Sequence, residues 1–211
     1  MKRTTADIIH EYGPFPGVDA VHGVTYDGRQ VWFASGDRLH ALDPASGKTQ
    51  GAIDVTANAG TAFDGHYLFQ LGGDCIQKIE PQSGRVVATL PAPGGDGCNA
   101  GLTWAEGSLW LGRYQDRKIL QLDPQTGEVL RTIDSNRFVT GVTWVDGELW
   151  HGTWEGDESE LRHIDPRTGE VLATIEMPPG TGVSGLESDG RERFYCGGGD
   201  SGKVRAVLRP K

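Results

Sequence analysis

Several things are scarce in this 211-residue chain, and each scarcity narrows the reading. There are 3 cysteines, Cys75, Cys98 and Cys196, too few and too scattered for a disulfide framework. Their odd number leaves at least one thiol unpaired within a monomer, which fits a reducing compartment. No apolar run reaches the length of a membrane span. Behind the basic start Met1-Lys2-Arg3-Thr4-Thr5 only Ile8 and Ile9 form an apolar pair, so no signal peptide is expected. A cytoplasmic protein without a membrane partner is the resulting expectation. Clustered Lys and Arg are also missing, and the formal charge is -9, which argues against a nucleic-acid partner. There is no GxSxG elbow, P-loop or HExxH motif, and no CxxC or HxH pair. The GGGD run at 197–200 lacks the Lys-Ser or Lys-Thr of a phosphate loop. Neither a cofactor nor a bound metal is expected, although Cys98, Cys196 and His22 are the residues to inspect for a soft one.

Glycine, by contrast, is abundant at 32 residues, and it recurs in a pattern. Four segments read strand, turn, strand: LHALDPASGKTQGAIDV, IQKIEPQSGRVVATL, ILQLDPQTGEVLRTI and LRHIDPRTGEVLATI. Their turns fall at 43–47, 80–84, 123–127 and 165–169, and a degenerate fifth copy, VRAVLRPK, places its turn at 209–211. In each full turn Pro fixes φ after the acidic residue, and a Gly supplies the permissive conformation before the next strand. Each copy is preceded by a second pattern built on Gly23, Gly60, Gly101, Gly141 and Gly185, followed by the aromatic or apolar strands VWFAS, YLFQLG, LWLGRY, LWHGTW and RFYCGG. One unit of about 40 residues therefore carries four short strands, A to D.

Five A, five B and five C strands are counted, but only four D strands follow them. The fifth lies at the other end: ADIIHEYGPFPG resembles EVLATIEMPPG, so Ile8, Ile9 and Tyr12 take the places of Val171, Leu172 and Ile175. A blade cannot bury its apolar faces alone, and joining both termini within one blade turns an open stack into a ring. The expected fold over residues 1–211 is a single all-β domain. It is a five-bladed β-propeller of four-stranded antiparallel blades, closed by the N-terminal strand. Trp32, Trp110 and Trp150, with Leu68 and Phe194 in the other copies, are expected at recurrent blade contacts. His151 is placed in a column with Phe33, Phe69, Leu111 and Tyr195, as a packed or satisfied core imidazole.

The A–B and C–D turns are regular, whereas the D–A and B–C connections on the opposite rim are not. Examples are GPFPGVDAVH, APGGDGCNA, YQDRK and WEGDESE. Function resides on such loops when a rigid frame holds them, so the site is expected at the channel mouth of that rim. His22, Ala59, Ala100, Thr140 and Ser184 precede the five glycines and would surround the mouth, with His22 the one imidazole among them. Arg113, Tyr114, Trp154 and Glu155 fall at the ends of two B strands, and Asn99 lies in a D–A connection. In the expected pocket Asn99 orients an amide, Arg113 holds a carboxylate, and Tyr114 or Trp154 forms the wall. His22 or Glu155 moves a proton. Ordinary loop packing is the alternative for Arg113, Tyr114, Trp154 and Glu155, and a polar side chain satisfied by a neighbouring backbone carbonyl is the alternative for His22.

The unit GLTWxxGxLW followed by IxxxDPxTGxVLxTI resembles the blades of the plant and bacterial glutaminyl-peptide cyclotransferases of the five-bladed propeller type. More distantly it is similar to the seven-bladed streptogramin lyases. The first resemblance implies cyclisation of N-terminal glutamine to pyroglutamate with loss of ammonia, without a metal, by a carboxylate and polar groups at the channel mouth. The family's Gln-Gly-Leu approach to its first blade is matched here by His22-Gly23-Val24. Its Tyr-Gln-Leu-Thr-Trp motif is met only by Phe69-Gln70-Leu71, and no residue matches its catalytic glutamate. The functional expectation is a small-molecule or peptide-modifying enzyme, cyclotransferase-like or lyase-like, acting on a small molecule or peptide in the mouth. The alternatives are a non-catalytic ligand-binding propeller and a protein-interaction scaffold.

Overall fold

The computed structural model describes residues 2–94 and 98–210. Two strands precede the first blade, β1 (Lys2–Thr5) and β2 (Ile8–Tyr12). The first blade holds β3 (Val24–Tyr26), β4 (Val31–Asp43) and β5 (Lys48–Ala57), and the second β6 (Thr61–Phe63), β7 (Leu68–Gly72), β8 (Cys75–Ile79) and β9 (Val86–Pro91). The third holds β10 (Asn99–Ala105), β11 (Ser108–Arg113), β12 (Lys118–Leu122) and β13 (Val129–Asp134). The fourth holds β14 (Val142–Val145), β15 (Glu148–Glu155), β16 (Glu158–Ile164) and β17 (Val171–Glu176). The fifth holds β18 (Gly185–Ser188), β19 (Arg193–Gly197) and β20 (Val204–Leu208). In the first blade β4 contains both the B and the C strand. Its Phe33 and His40 rings stack at 4.9 Å, which an extended segment between them could not allow, and the bend falls at Gly36 with φ +64°.

The turns form for local reasons. Asp123 Oδ1 accepts the N–H groups of Gln125 and Thr126 at 2.8 and 2.9 Å, while Gly127, at φ +77°, donates to the Asp123 carbonyl at 2.8 Å. Asp165 and Gly169 repeat the arrangement in the fourth blade. Of the degenerate fifth turn, Lys211 lies outside the described residues.

Ring closure is as expected. β2 pairs antiparallel with β20, from Ile8 opposite Val207 to Tyr12 opposite Val204, and so supplies the fourth strand of the last blade. Tyr12 is buried, and its Oη donates to the Pro44 carbonyl of the first blade at 3.0 Å. β1 does something the repeat count did not anticipate. It pairs in parallel with β17 and makes the fourth blade five-stranded.

Between blades, side chains from an A strand stack on the B strand of the preceding blade. Tyr26 meets Tyr195 at 5.6 Å between centroids, Trp104 meets Phe69 at 5.8 Å, and Trp144 meets Trp110 at 5.0 Å. The strand register corrects two columns read from the sequence. Opposite Thr25, Thr103 and Thr143 stand Trp32, Trp110 and Trp150, and the equivalents are Phe69 and Tyr195, not Leu68 and Phe194. His151 accordingly shares its column with Phe33, Gln70, Leu111 and Cys196 rather than with Phe69 and Tyr195. A shift of one residue exchanges the two faces of a strand, and matching by hydrophobic appearance made that shift in two blades.

Candidate functional site at the propeller axis

The five A strands meet at the five recurrent glycines. A methyl group built on Gly23 would overlap the backbone of Ala59 to Thr61. The same holds from Gly60 to Gly101, from Gly101 to Gly141, from Gly141 to Gly185, and from Gly185 back to Gly23. The glycines thus form a closed collar in which backbone touches backbone, and this explains their recurrence better than turn geometry does. None of them has a positive φ.

Just above the collar stand His22, Ala59, Ala100, Thr140 and Ser184. Backbone bonds fix His22 to Ala34, Thr140 to Gly152 and Ser184 to Gly197, at 2.9, 2.9 and 2.8 Å. Ser184 Oγ lies 2.6 Å from the Val21 carbonyl and 2.9 Å from that of His22, and accepts the Gly199 N–H at 3.1 Å. The half-buried His22 imidazole has no hydrogen bond among the described residues. Burial lowers its pKa below the ordinary 6.5, and the charge of Asp200 opposes this only in part. At neutral pH it is therefore an uncharged base.

The other predicted residues belong to the third and fourth blades. Arg113, on β11, donates from Nη1 to Asn99 Oδ1 at 3.2 Å and to the Pro93 carbonyl, and from Nε to Asp116 at 2.7 Å. Tyr114 Oη donates to the Trp154 carbonyl at 3.1 Å, and its ring lies 4.6 Å from that of Phe138. Trp154 packs over Gly182 and Gly199, where a side chain would collide with its ring. Glu155 accepts the Phe138 N–H and Arg137 Nη1, both at 2.9 Å. Burial raises its pKa, but those two hydrogen bonds and the charges of Arg137 and Arg117 outweigh it and hold the carboxyl below the ordinary 4.5. Asn99 is thus bonded to Arg113 and Tyr114 to Trp154, while Glu155 bonds Arg137 and Phe138 rather than any of these four. His22 stands apart from them across Gly199, and no hydrogen bond among the described residues joins it to Glu155.

One residue of chemical interest was missed. Glu187, on β18, points into the axis one layer below the collar, where the other blades carry Thr25, Ala62, Thr103 and Thr143. Its Oε2 accepts Thr25 Oγ1 at 2.9 Å and lies 3.5 Å from Thr103 Oγ1, and its Oε1 lies 2.5 Å from Thr143 Oγ1. The Ser188 N–H donates to Oε1 at 2.9 Å. Burial dominates its titration and, against these hydrogen bonds, pushes the acid up to about 7. The signal was legible: in SGLESDG a carboxylate stands two residues after the collar glycine, where GVT, GLT and GVT carry threonine.

His151 is fully buried, with Nδ1 3.1 Å from the Gly152 carbonyl and Nε2 without a partner, and burial pushes it down to about 4. Cys196 is buried and pushed up to about 12, while Cys98 is half-buried beside Gln115. Among the described residues no three His, Cys, Asp or Glu side chains converge as metal ligands would. There is also no helix long and apolar enough to cross a membrane.

No protein-family model matches the sequence, and no curated protein matches it either. The fold, however, is similar to solved structures. Hydrazine synthase of Kuenenia stuttgartiensis is 16% identical with a TM-score of 0.54, over 85% of this chain and 56% of that one. Glutaminyl cyclase of Myxococcus xanthus is 18% identical with a TM-score of 0.80, and the match covers 98% of this chain and 97% of that one. The chain is a five-bladed β-propeller with the fold of the glutaminyl cyclotransferases.

Proposed function

We propose that the protein is a peptide- or small-molecule-modifying enzyme of cyclotransferase type, working at the irregular-loop mouth above the glycine collar. The observation that carries the reading is His22: an imidazole next to the glycine collar, uncharged at neutral pH and with no hydrogen bond among the described residues. The near-complete match to a glutaminyl cyclase fold adds the reaction class.

The chemistry needs one proton carrier. A ligand with an N-terminal glutamine arrives as an ammonium ion, and His22 accepts a proton from it. The freed amine attacks the side-chain amide carbonyl, forming the ring C–N bond, and the ring nitrogen gives up one of its two remaining protons to water. The C–N bond to the amide nitrogen then breaks, His22 returns the proton to it, and ammonia leaves. Tyr114 and Trp154 would flank the ligand, and Asn99 Nδ2, which has no partner among the described residues, would orient an amide.

A second reading is favoured by a separate observation. Arg113 and Glu155 are both engaged by neighbours, so neither is free to meet a charge on a ligand without giving up a partner. A propeller that binds a peptide without turning it over fits that saturation.

Incubation with a peptide bearing N-terminal glutamine, followed by ammonia release and the accompanying loss of mass, separates the two. The enzyme reading expects ammonia from the wild type and a loss of at least about 100-fold in His22→Gln with the fold retained. Binding of the peptide without ammonia release would establish the second reading. Equal turnover in His22→Gln would remove that residue from the chemistry.

A further inference from the structure

Glu187 differs from the other clamped carboxylates among the described residues. Glu11, Glu155, Glu160 and Glu176 meet an Arg, a Lys or a backbone N–H at the surface or in a half-buried position. Glu187 is instead enclosed on the axis, at 8% exposure, by hydroxyl groups from three other blades. Thr25 belongs to the first blade, Thr103 to the third, Thr143 to the fourth and Glu187 itself to the fifth. In the second blade the same station holds Ala62, which offers no partner. One carboxyl thus joins four of the five blades directly beneath the collar.

We propose that Glu187 is a proton-operated tie across the propeller axis: as a neutral acid it links four blades through Thr25, Thr103 and Thr143, and on ionising it loosens the ring at its centre. The proton passes to solvent, and no bond other than O–H is broken. A neutral carboxyl can both donate and accept within a set of hydroxyls, so every group is satisfied without a countercharge. An ionised one in the same place is a buried charge with no cation to meet it. Charged and titratable groups on the elements packed against β18 do not supply that cation. β3 brings Tyr26, β19 brings Arg193, Tyr195 and Cys196, and β15 brings Glu148, His151 and Glu155, while β6, β10 and β14 bring none. Among the described residues none of these bonds to the Glu187 carboxyl, and burial leaves His151 uncharged. Burial accordingly raises the acid itself, which is the direction the tie requires.

The sign follows from linkage. A carboxyl whose folded-state value lies above 4.5 is held more tightly as the acid in the native state, so its stabilisation is complete below about pH 4.5 and lost as pH rises towards about 7. Other clamped carboxylates, such as Glu11 and Glu155, are lowered and act with the opposite sign below that window.

The test is the denaturation midpoint of the full chain at steps between about pH 5 and about pH 8, for the wild type and for Glu187→Gln, a neutral isostere. The tie predicts a midpoint that falls with pH in the wild type and a clearly shallower fall in Glu187→Gln. Parallel profiles would overturn it. Should Glu187→Gln not fold, infrared spectroscopy of the wild type decides instead. A protonated-carboxyl C=O band present at about pH 5 and gone by about pH 8 is the expected result, and its absence at the lower pH overturns the tie.

Discussion

At the scale of the residue, the collar glycines and the turn glycines carry different constraints, and this is testable by substitution. Gly101 has an ordinary φ, but a methyl group there would overlap the Thr140 carbonyl and the Gly141 backbone. Gly101→Ala should cost about 1–3 kcal/mol by overpacking a contact that has no side chain to yield. Gly51, exposed on β5 with open space around it and no positive φ, is the control. Gly51→Ala should change stability by no more than about 1 kcal/mol, and towards greater stability, as restriction of the unfolded chain alone would do. Urea denaturation of the two variants measures both, and equal effects would contradict the collar. The five glycines were visible in the sequence as a repeat, yet their meaning was not. A glycine needed for close approach and one needed for a left-handed turn are written with the same letter. Glu187 is hidden for a related reason: aligning SGLESDG on its glycine gives no weight to a carboxylate at a threonine position, although that departure is the informative part.

At the scale of the element, the two N-terminal strands differ in what they hold together. β2 covers the C strand of the last blade and sends Tyr12 into the first, so it closes the ring. β1 adds a parallel strand to the outer edge of the fourth blade, where Arg3 and Glu176 form an exposed ion pair at 3.1 Å. Exposed pairs of this kind contribute at most about 1 kcal/mol. Removing residues 1–5 should therefore leave a cooperative transition with a slightly lower midpoint, whereas removing residues 1–12 should abolish cooperative folding or lower the midpoint strongly. Circular-dichroism melting distinguishes these outcomes, and a mild effect of the longer deletion would contradict closure by β2. The missing D strand was legible because Ile8, Ile9 and Tyr12 reproduce a spacing found in the fourth blade. β1 was not legible, since Lys2-Arg3-Thr4-Thr5 has no apolar pattern and its ladder to β17 is made by backbone groups that every residue carries. The one-residue errors in the tryptophan and His151 columns have the same origin. Counting nine residues from each collar glycine reaches Trp32, Phe69, Trp110 and Trp150, but the last blade carries one more residue in its A–B turn. Matching by hydrophobic character could not detect either point.

At the scale of the whole molecule, the proposed function belongs to one face, the mouth formed by the D–A and B–C connections beside His22. If His22 is the proton acceptor, turnover of a glutaminyl peptide should hold steady through neutral pH and fall only on acidification below the ordinary histidine value of 6.5. A rate that instead rises on acidification would point to a protonated group. The opposite face has clefts of its own, one of them lying between the first two blades beside Trp32, Phe63 and Tyr67. Amide hydrogen exchange with and without a peptide bearing N-terminal glutamine chooses between the faces. Slower exchange in the connections 135–141, 179–184 and 198–203, with none around 27–30 and 64–67, is the predicted result. Protection confined to the cleft beside Trp32 and Tyr67 would contradict it.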